Sequence, residues 1–182
     1  MNDYQKQFLK LYGPVHESFA RFCHANAYGL MEAEDLISES ILVALERFDT
    51  LLNKEAFLSF LFSTASNICK NKNRRLKFRG KYNEQHLHLI QDDGIDPEVR
   101  LDITVLYDAM NQLSHLQKEA IVLFEISGFS IKEIAVIQSS KEAAVKQRLK
   151  RGRDKLAELF KSDQLRGESL QKRSTVLMSI FL

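Results

Sequence analysis

The chain has 182 residues, 45% of them hydrophobic, and a formal net charge of +2. This length allows one ordinary domain or two small ones, and the hydrophobic content excludes a wholly disordered protein. No apolar run approaches the ~20 residues of a membrane-spanning helix, and the first ten residues, MNDYQKQFLK, lack the apolar core of a signal peptide. We therefore expect a cytoplasmic protein without a membrane span.

Seven Gly, two Pro and apolar residues spaced at three and four predict an all-α protein. The first helix is expected after the break at Gly13-Pro14, because Pro is favoured at the first position of a helix. Two cysteines, Cys23 and Cys69, occupy apolar positions of helical patterns. Reduced thiols in the core are therefore expected rather than a disulfide.

The clearest helical pattern runs from Ala33 to Phe48. Its buried stripe covers four turns and consists of Ala33, Leu36, Ile37, Ser40, Ile41, Ala44, Leu45 and Phe48. The opposite face is mostly acidic and carries Asp35, Glu39, Leu42 and Glu46. A third helix is expected from about Lys54 to Arg75, and the three helices together predict a first domain over residues 1–81.

A segment without sustained periodicity, residues 82–100, contains Asp-Asp-Gly and Asp-Pro and is predicted to be a linker. A second helical domain is expected over residues 101–161, with Gly128 ending one of its helices. The last segment, residues 162–182, is predicted to be a tail whose apolar end, TVLMSIFL, is too short to span a bilayer.

Charge is segregated along the chain, so the net value conceals local extremes. Residues 70–81 hold seven basic side chains and no acidic one, and residues 141–155 hold seven basic and two acidic. The acidic excess lies in residues 31–55 and 82–108. Two basic blocks indicate polyanion contacts at two places, although charged runs are also typical of solvated helix faces.

The second basic block lies in a helical pair, Phe129 to Leu156, with a junction at Ser139-Ser140. One face of the second helix is predicted to bury Val145, Leu149, Gly152, Leu156 and Leu159. The remaining positions carry Lys146, Gln147, Arg148, Lys150, Arg151 and Arg153. Two short helices with a basic second helix predict a helix-turn-helix that binds the major groove of DNA. An ordinary amphipathic helix in a bundle remains the alternative.

Two blocks of this sequence together resemble a sigma-70 family RNA polymerase sigma factor of the small, extracytoplasmic-function (ECF) type. The first block, AEDLISESILVALERFDTLLNKEAFLSFLFSTASNICKNKNRR, resembles the family's core-binding and promoter-melting domain. The second, LSHLQKEAIVLFEISGFSIKEIAVIQSSKEAAVKQRLKRGRDKLAELF, resembles its −35 domain. The resemblance implies two small helical domains joined by an acidic linker, the second a helix-turn-helix. It also implies promoter DNA and core RNA polymerase as partners.

The resemblance assigns roles by position. Asp35, Leu36 and Glu39 would dock on the clamp helices of the largest polymerase subunit. The −10 element would be contacted by Phe60, Asn67, Arg74, Arg75, Lys77 and Arg79, together with the loop 48–55. Phe60 stands where the family usually has Trp, and a core position is an equally good interpretation of it. The −35 bases would be contacted by Gln147, Lys150 and Arg151, and the DNA backbone by Lys146, Arg148 and Arg153.

The turn between the two helices departs from the family pattern of Gly, an apolar residue, and Ser or Pro. Here the positions are Ser139, Ser140 and Lys141. Ser139 and Glu142 have the spacing of a capping box, which would start the second helix slightly earlier.

The predicted linker also implies a partner. Its 18 residues, 82–99, reach roughly 60 Å when stretched and span nearer 25 Å when relaxed. The resemblance implies promoter elements roughly 55 Å apart on the duplex. The polymerase surface is expected to hold the domains at this separation, and free domains would instead collapse together or be clamped by an anti-sigma factor.

The sequence leaves two other functions open and argues against a third, an enzyme. A helix-turn-helix regulator acting without polymerase would need only the second block, and a helical adaptor would need no DNA at all. An enzyme is not expected, because the sequence shows neither a phosphate-binding Gly-rich loop nor a nucleophile with its base. His24, His86 and His88 do not form a convincing zinc pattern, so no metal and no cofactor are expected.

Overall fold

Eight α-helices make up most of the described part of the computed structural model, which comprises residues 3–51, 53–78 and 97–164. Their bounds are α1 Asp3–Tyr12, α2 His16–Ala27, α3 Ala33–Glu46, α4 Lys54–Phe78, α5 Pro97–Asn111, α6 His115–Ile121, α7 Ile131–Ile137 and α8 Glu142–Gln164. The described ranges contain no strand, so the predicted all-α class is confirmed.

Short turns of tighter or wider helix connect some of these elements. The segments Gly13–Val15 and Phe48–Thr50 are 3₁₀ turns, and Val122–Ile126 is a π-helical turn that continues α6. In the π turn the Ser127 amide donates to the Val122 carbonyl at 2.9 Å. The bond spans five residues instead of four, so the turn is wider than in a regular α-helix. The residues of this turn contact α2.

Helix α1 was not predicted, although its aromatic residues have helical spacing. Tyr4, Phe8 and Tyr12 recur at intervals of four, and Phe8 packs edge-on against Phe48 and Phe57. Phe8 is only 4% exposed. The helix is therefore held mainly by aromatic packing against the end of α3 and the start of α4.

The core of the first half, residues 3–78, forms where α2, α3 and α4 bury their predicted stripes. Leu36 and Ala44 of α3 and Phe57 and Leu61 of α4 are fully buried, as their spacing predicted. Ser40 also lies in this core, where its hydroxyl donates to the Leu36 carbonyl at 2.7 Å. That bond removes the cost of burying an unpaired hydroxyl.

The predicted segment boundaries need two corrections. Helix α5 begins at Pro97, inside the predicted linker 82–100, because Pro favours the first turn of a helix and α5 starts with it. Helix α8 continues to Gln164, three residues into the predicted tail 162–182. The rest of the linker and tail, with His86 and His88, lies outside the described residues.

The helices of the second half, residues 97–164, have distinct end signals. Ser130 begins α7 with a capping box, in which the Ser130 amide donates to Glu133 Oε2 at 3.0 Å and the Ser130 hydroxyl accepts from the Glu133 amide at 3.3 Å. Gly128 precedes it with φ +78°, a left-handed conformation that suits Gly, as expected of a helix-ending residue.

The two halves pack directly on one another through α4. Phe62 of α4 meets Phe129 edge-on with ring centroids 4.9 Å apart, and both rings are buried. The Ser59 hydroxyl donates to the Val136 carbonyl at 3.2 Å, and Ser66 Oγ lies 3.1 Å from His115 Nε2. The interface between the halves is therefore aromatic at its centre and polar around it.

A second contact joins α2 to the second half. Arg21 Nε donates to the Ile126 carbonyl at 2.9 Å, which satisfies an acceptor at the end of the π turn. Nearby, the rings of Tyr28 and Tyr107 lie 4.9 Å apart. Burial raises the pKa of both phenols, so they remain protonated and uncharged at neutral pH.

Ionisable groups at this interface are shifted toward their neutral forms. Burial raises the pKa of the Cys69 thiol to about 11 and raises that of Cys23 further. Both cysteines are free and buried, as predicted. Burial lowers the pKa of the Lys118 ammonium to about 8, and its Nζ donates to Asn111 Oδ1 at 2.8 Å.

We expect Lys118→Met to stabilise the protein near neutral pH. The ammonium has a lower pKa in the folded state, so burial of its charge lowers the free energy of unfolding below pH 8. Between pH 8 and 10.5 the unfolded chain binds more protons than the folded one, and this cost disappears. The substitution should raise the free energy of unfolding by about 1 kcal/mol at pH 7. The gain should shrink as pH rises from 8 to 10.5 in denaturant titrations.

Lys132→Met is the matched control for this experiment, because Lys132 is exposed on α7. It should leave the pH profile of stability unchanged. A Lys118→Met protein whose advantage over wild type is the same at pH 7 and pH 10.5 would contradict the assigned effect of burial.

Candidate nucleic-acid interface

Helix α8 is anchored by one apolar face and presents the other to solvent. Val145, Leu149 and Leu156 are buried, as predicted, and Phe160 is buried at 3% exposure. Leu159, which was predicted to belong to this row, is only partly buried. The apolar row therefore turns slightly toward Phe160 at the end of the helix.

Gly152 sets how closely α8 approaches α6. A Cβ atom at this position would lie 2.6 Å from Ile121 Cδ1, closer than atoms of this kind approach. Ile121 is fully buried, so it has little room to move. The absence of a side chain at Gly152 is thus what lets the two helices pack at this distance.

The exposed side of α8 carries four residues that we call the cationic face: Lys146, Gln147, Lys150 and Arg151. All four were predicted to contact DNA. Within the described residues, no hydrogen bond or ion pair engages their side chains. They lie on successive turns of one helix, which fits the width of the major groove, and their donors can meet phosphates or base edges.

Arg148 and Arg153 were predicted to contact the DNA backbone, but the structure gives both guanidinium groups partners within the chain. Arg148 Nη1 donates to Gln138 Oε1 at 2.7 Å and to Ser140 Oγ at 2.9 Å. Arg153 donates to Glu125 Oε1 from Nε at 3.0 Å and from Nη2 at 2.5 Å. Its guanidinium also lies 5.4 Å from the centroid of the Phe124 ring.

These contacts give both guanidinium groups a role within the chain. Glu125 is 15% exposed, so its carboxylate needs a cation, and Arg153 supplies it across 28 residues of sequence. Arg148 is partly buried, and its Nη1 binds Gln138 and Ser140 beside the turn before α8. Each guanidinium keeps N–H donors that these bonds do not use, so the two backbone contacts to DNA stay predictions.

The turn before α8 also differs from the prediction. Helix α8 begins at Glu142, and the Ala144 and Val145 amides donate to the Lys141 carbonyl. Ser139 has φ +46°, a left-handed conformation outside the helix, so the capping box predicted for Ser139 and Glu142 is wrong. The box occurs instead at Ser130 and Glu133.

The residues predicted to contact the −10 element lie along α4. Asn67, Arg74 and Arg75 are exposed, while Phe60 is partly buried and packs against the core. The core packing of Phe60 is therefore observed, and its contact with the −10 element stays a prediction. Lys77 lies in the last turn of α4, and Arg79 is outside the described residues.

The residues predicted to dock on the polymerase lie on α3 but do not share one face. Asp35 and Glu39 are exposed beside Leu42, which is 58% exposed. Leu36 is fully buried beneath them, so its side chain is not exposed for the direct contact predicted for it. Its role here is to anchor α3 in the core.

Three side chains that support α8 were missed by sequence reasoning: Gln138, Glu119 and Glu125. Glu119 is 5% exposed, and its Oε2 accepts from Gln138 Nε2 at 2.7 Å. A carboxylate within the apolar run of α6 was the available signal. Within the described ranges, no three His, Cys, Asp or Glu side chains converge as metal ligands, and none of the helices has the length and apolarity to cross a bilayer.

These features describe an all-α protein whose last helix is anchored on one side and cationic on the other. Residues 103–156 match the family model described as "Sigma-70, region 4". The ECF RNA polymerase sigma factor BldN of Streptomyces coelicolor is 27% identical over 161 residues, which cover 86% of this chain and 61% of that protein. The chain therefore spans about three-fifths of this relative.

Two solved structures share the fold. CnrH, solved in complex with the cytosolic domain of CnrY, aligns with a TM-score of 0.63 at 22% identity, covering 87% of this chain and 90% of that one. The sigma factor RpoE of Bartonella quintana, solved with the anti-sigma factor NepR, aligns with a TM-score of 0.59 at 24% identity, covering 90% and 99%. The chain is thus similar to sigma-70 family sigma factors of the ECF group, and the match to region 4 covers its residues 103–156.

Gly152→Ala is expected to destabilise the packing of α8. Overpacking against Ile121 costs about 1–3 kcal/mol, and the better helix propensity of Ala returns about 1 kcal/mol. We expect a net loss of about 1 kcal/mol in urea denaturation.

Ile121→Val provides the control, because it removes the Cδ1 atom that the new Cβ would meet. Alone it should cost about 0.5–1.5 kcal/mol. In the Gly152→Ala background that cost should vanish or reverse. Losses that simply add would show that this close approach does not constrain α8.

Proposed function

We propose that this chain is an alternative sigma factor that binds core RNA polymerase and directs promoter recognition and transcription initiation. The observation that carries this proposal is the cationic face of α8, which lies inside the segment matched to sigma-70 region 4. A helix anchored by Val145, Leu149 and Leu156 can enter a major groove without unfolding. The proposed activity is DNA binding and not catalysis, and its proposed location is the cytoplasm.

Two modules, 1–81 and 101–161, would contact different promoter elements, and the linker within 82–100 would join them. In the second module, α7, its turn and α8 would act as a helix-turn-helix at the −35 element. Gln147, Lys150 and Arg151 would contact bases, and Lys146 a phosphate. Such contacts are individually worth about 1–3 kcal/mol.

In the first module, the exposed side of α4 would contact the −10 element. Asn67 and Arg74 lie seven residues apart and so on one side of the helix, with Phe60 a further seven residues back. Arg75, Lys77 and Arg79 would hold phosphates near the melted strand, and Phe60 would support an unstacked base. The polymerase clamp helices would bind the exposed carboxylates of Asp35 and Glu39.

The direct contact between the halves supports a closed form that the polymerase opens. The Phe62–Phe129 and Ser59–Val136 contacts hold α4 against α7, whereas promoter elements roughly 55 Å apart require the modules to separate. Two of the relatives were solved with CnrY or with the anti-sigma factor NepR. We propose that an anti-sigma factor binds this chain and holds it in the closed form.

Removing the charge of the cationic face should abolish promoter output. The variant Lys146→Ala/Lys150→Ala/Arg151→Ala loses three exposed cations that would meet DNA. In transcription from a promoter template with purified core polymerase, we expect run-off product to fall at least about 100-fold, because such contacts are worth roughly 1–3 kcal/mol each. Co-purification with core should persist.

The control Lys6→Ala/Lys10→Ala/Lys161→Ala removes the same charge from other exposed positions. It should retain most of the output. Unchanged output from the α8 variant would instead favour a helical adaptor, and strong DNA binding without any polymerase association would favour a conventional helix-turn-helix regulator.

Reversing the charge of the α3 carboxylates should impair polymerase binding. We expect Asp35→Lys/Glu39→Lys to weaken the affinity for core polymerase at least about tenfold, because like charges would then face a basic docking surface. Competition for core against the wild-type chain measures the loss.

Asp3→Lys/Glu17→Lys is the matched control, since both residues are highly exposed and the charge change is the same. It should bind core like the wild type. Equal losses in the two variants would indicate a nonspecific charge effect and would remove the support for docking through α3.

A further inference from the structure

Gln138, at the end of α7, makes three hydrogen bonds that join α6 to α8. Its Nε2 donates to Glu119 Oε2 at 2.7 Å and to the Leu116 carbonyl at 3.2 Å. Its Oε1 accepts from Arg148 Nη1 at 2.7 Å. An amide has one accepting and one donating end, and only this orientation satisfies all three partners.

Arg148 uses a second bond to close the turn before α8. The same Nη1 that contacts Gln138 also donates to Ser140 Oγ at 2.9 Å. These two acceptors flank Ser139, the residue with φ +46°. A non-Gly residue in the left-handed region is strained and persists only when its surroundings fix it. Arg148 fixes this residue from both sides.

These hydrogen bonds form a chain of contacts from Arg148 through Gln138 to Glu119, which ends on a buried carboxylate. Glu119 is 5% exposed, so its charge depends on the Gln138 amide for a partner. The amide in turn faces the guanidinium of Arg148, which places opposite charges at its two ends. Such charge-assisted bonds are shorter and stronger than neutral ones and hold their geometry well.

We propose that Gln138 and Arg148 are positioning residues that fix the angle of α8 against α6, so that the cationic face meets the −35 element in register. This inference rests on the proposed function. Arg148 then acts through Lys146, Gln147, Lys150 and Arg151 and makes no phosphate contact of its own. Base contacts of this kind tolerate errors of only about 0.5 Å and 10–20°.

A positioning role and a phosphate contact differ in their dependence on salt. Each phosphate neutralised by a cation contributes about 0.9 to the slope of log affinity against log salt. Loss of a contacting cation therefore lowers the slope. Loss of a positioning residue lowers affinity and specificity while the number of phosphate contacts, and with it the slope, is retained.

The experiment measures promoter binding by the complete holoenzyme between 50 and about 200 mM salt. Its probe is a promoter duplex selected from a random library by the wild-type holoenzyme. The variants are Gln138→Ala, Arg148→Met, Arg148→Lys and the double variant Gln138→Ala/Arg148→Met. Lys146→Met is the control, because it removes the exposed cation of the same helix to which a phosphate contact is assigned.

We expect Gln138→Ala and Arg148→Met each to lower affinity about tenfold with an unchanged slope. Their double variant should be little weaker than either single variant, since one chain of contacts is broken in all three. Arg148→Lys should lose affinity too, because both bonds come from Nη1 and the Lys side chain is one bond too short to place its ammonium there. Lys146→Met should lower the slope by about 0.9.

The inference is overturned if Arg148→Met lowers the slope as Lys146→Met does, or if Arg148→Lys and Gln138→Ala bind like the wild type. Arg148→Lys keeps the charge and tests the inference even if Arg148→Met fails to fold. A wild-type holoenzyme that selects no promoter at all would overturn the proposed function itself, which distinguishes the two failures.

Discussion

Helix α4 packs against the core of the first half and against the second half, and it also presents a row of side chains to solvent. This constraint organises the rest of the molecule. A helix with 3.6 residues per turn has room for about three rows of side chains. One row fills the first core and consists of Phe57, Leu61 and Ala65. A second packs on the second half and consists of Ser59, Phe62 and Ser66. The third is exposed at Asn67 and Arg74 and partly buried at Phe60. The position of the proposed −10 contacts is therefore fixed by two packing interfaces on the same helix.

Apolar periodicity was enough to predict much of this arrangement. The stripes of α3, α4 and α8 are buried largely as predicted, because burial of an apolar row is decided by spacing within one helix. The four residues of the cationic face were found in the same way, as the positions left over on α8. Helix α1 was missed although Tyr4, Phe8 and Tyr12 show the same spacing, since its row is only three residues long.

What the sequence left undecided depends on partners distant along the chain. Lys150 and Arg153 are both basic residues of α8 and cannot be distinguished by their sequence pattern. Of the two, Arg153 binds a carboxylate, that of Glu125, 28 residues away. The choice between two Ser-x-x-Glu patterns was likewise settled by packing, because Ser130 begins a helix and Ser139 occupies a left-handed turn. Leu36 shows the converse, since its burial puts its expected contact out of reach. Local pattern places a residue on a face, and tertiary contacts decide whether that residue is available.

The contact between the halves has a consequence for temperature. Among its hydrogen bonds, two end on the Ile126 and Val136 carbonyls and one joins Ser66 to His115, and water can hydrate these groups when the halves part. The main cost of separation is the hydration of aromatic surface such as Phe62 and Phe129. Hydration of apolar surface carries a positive heat capacity, and its free-energy cost falls on cooling. The closed form is accordingly held least firmly in the cold.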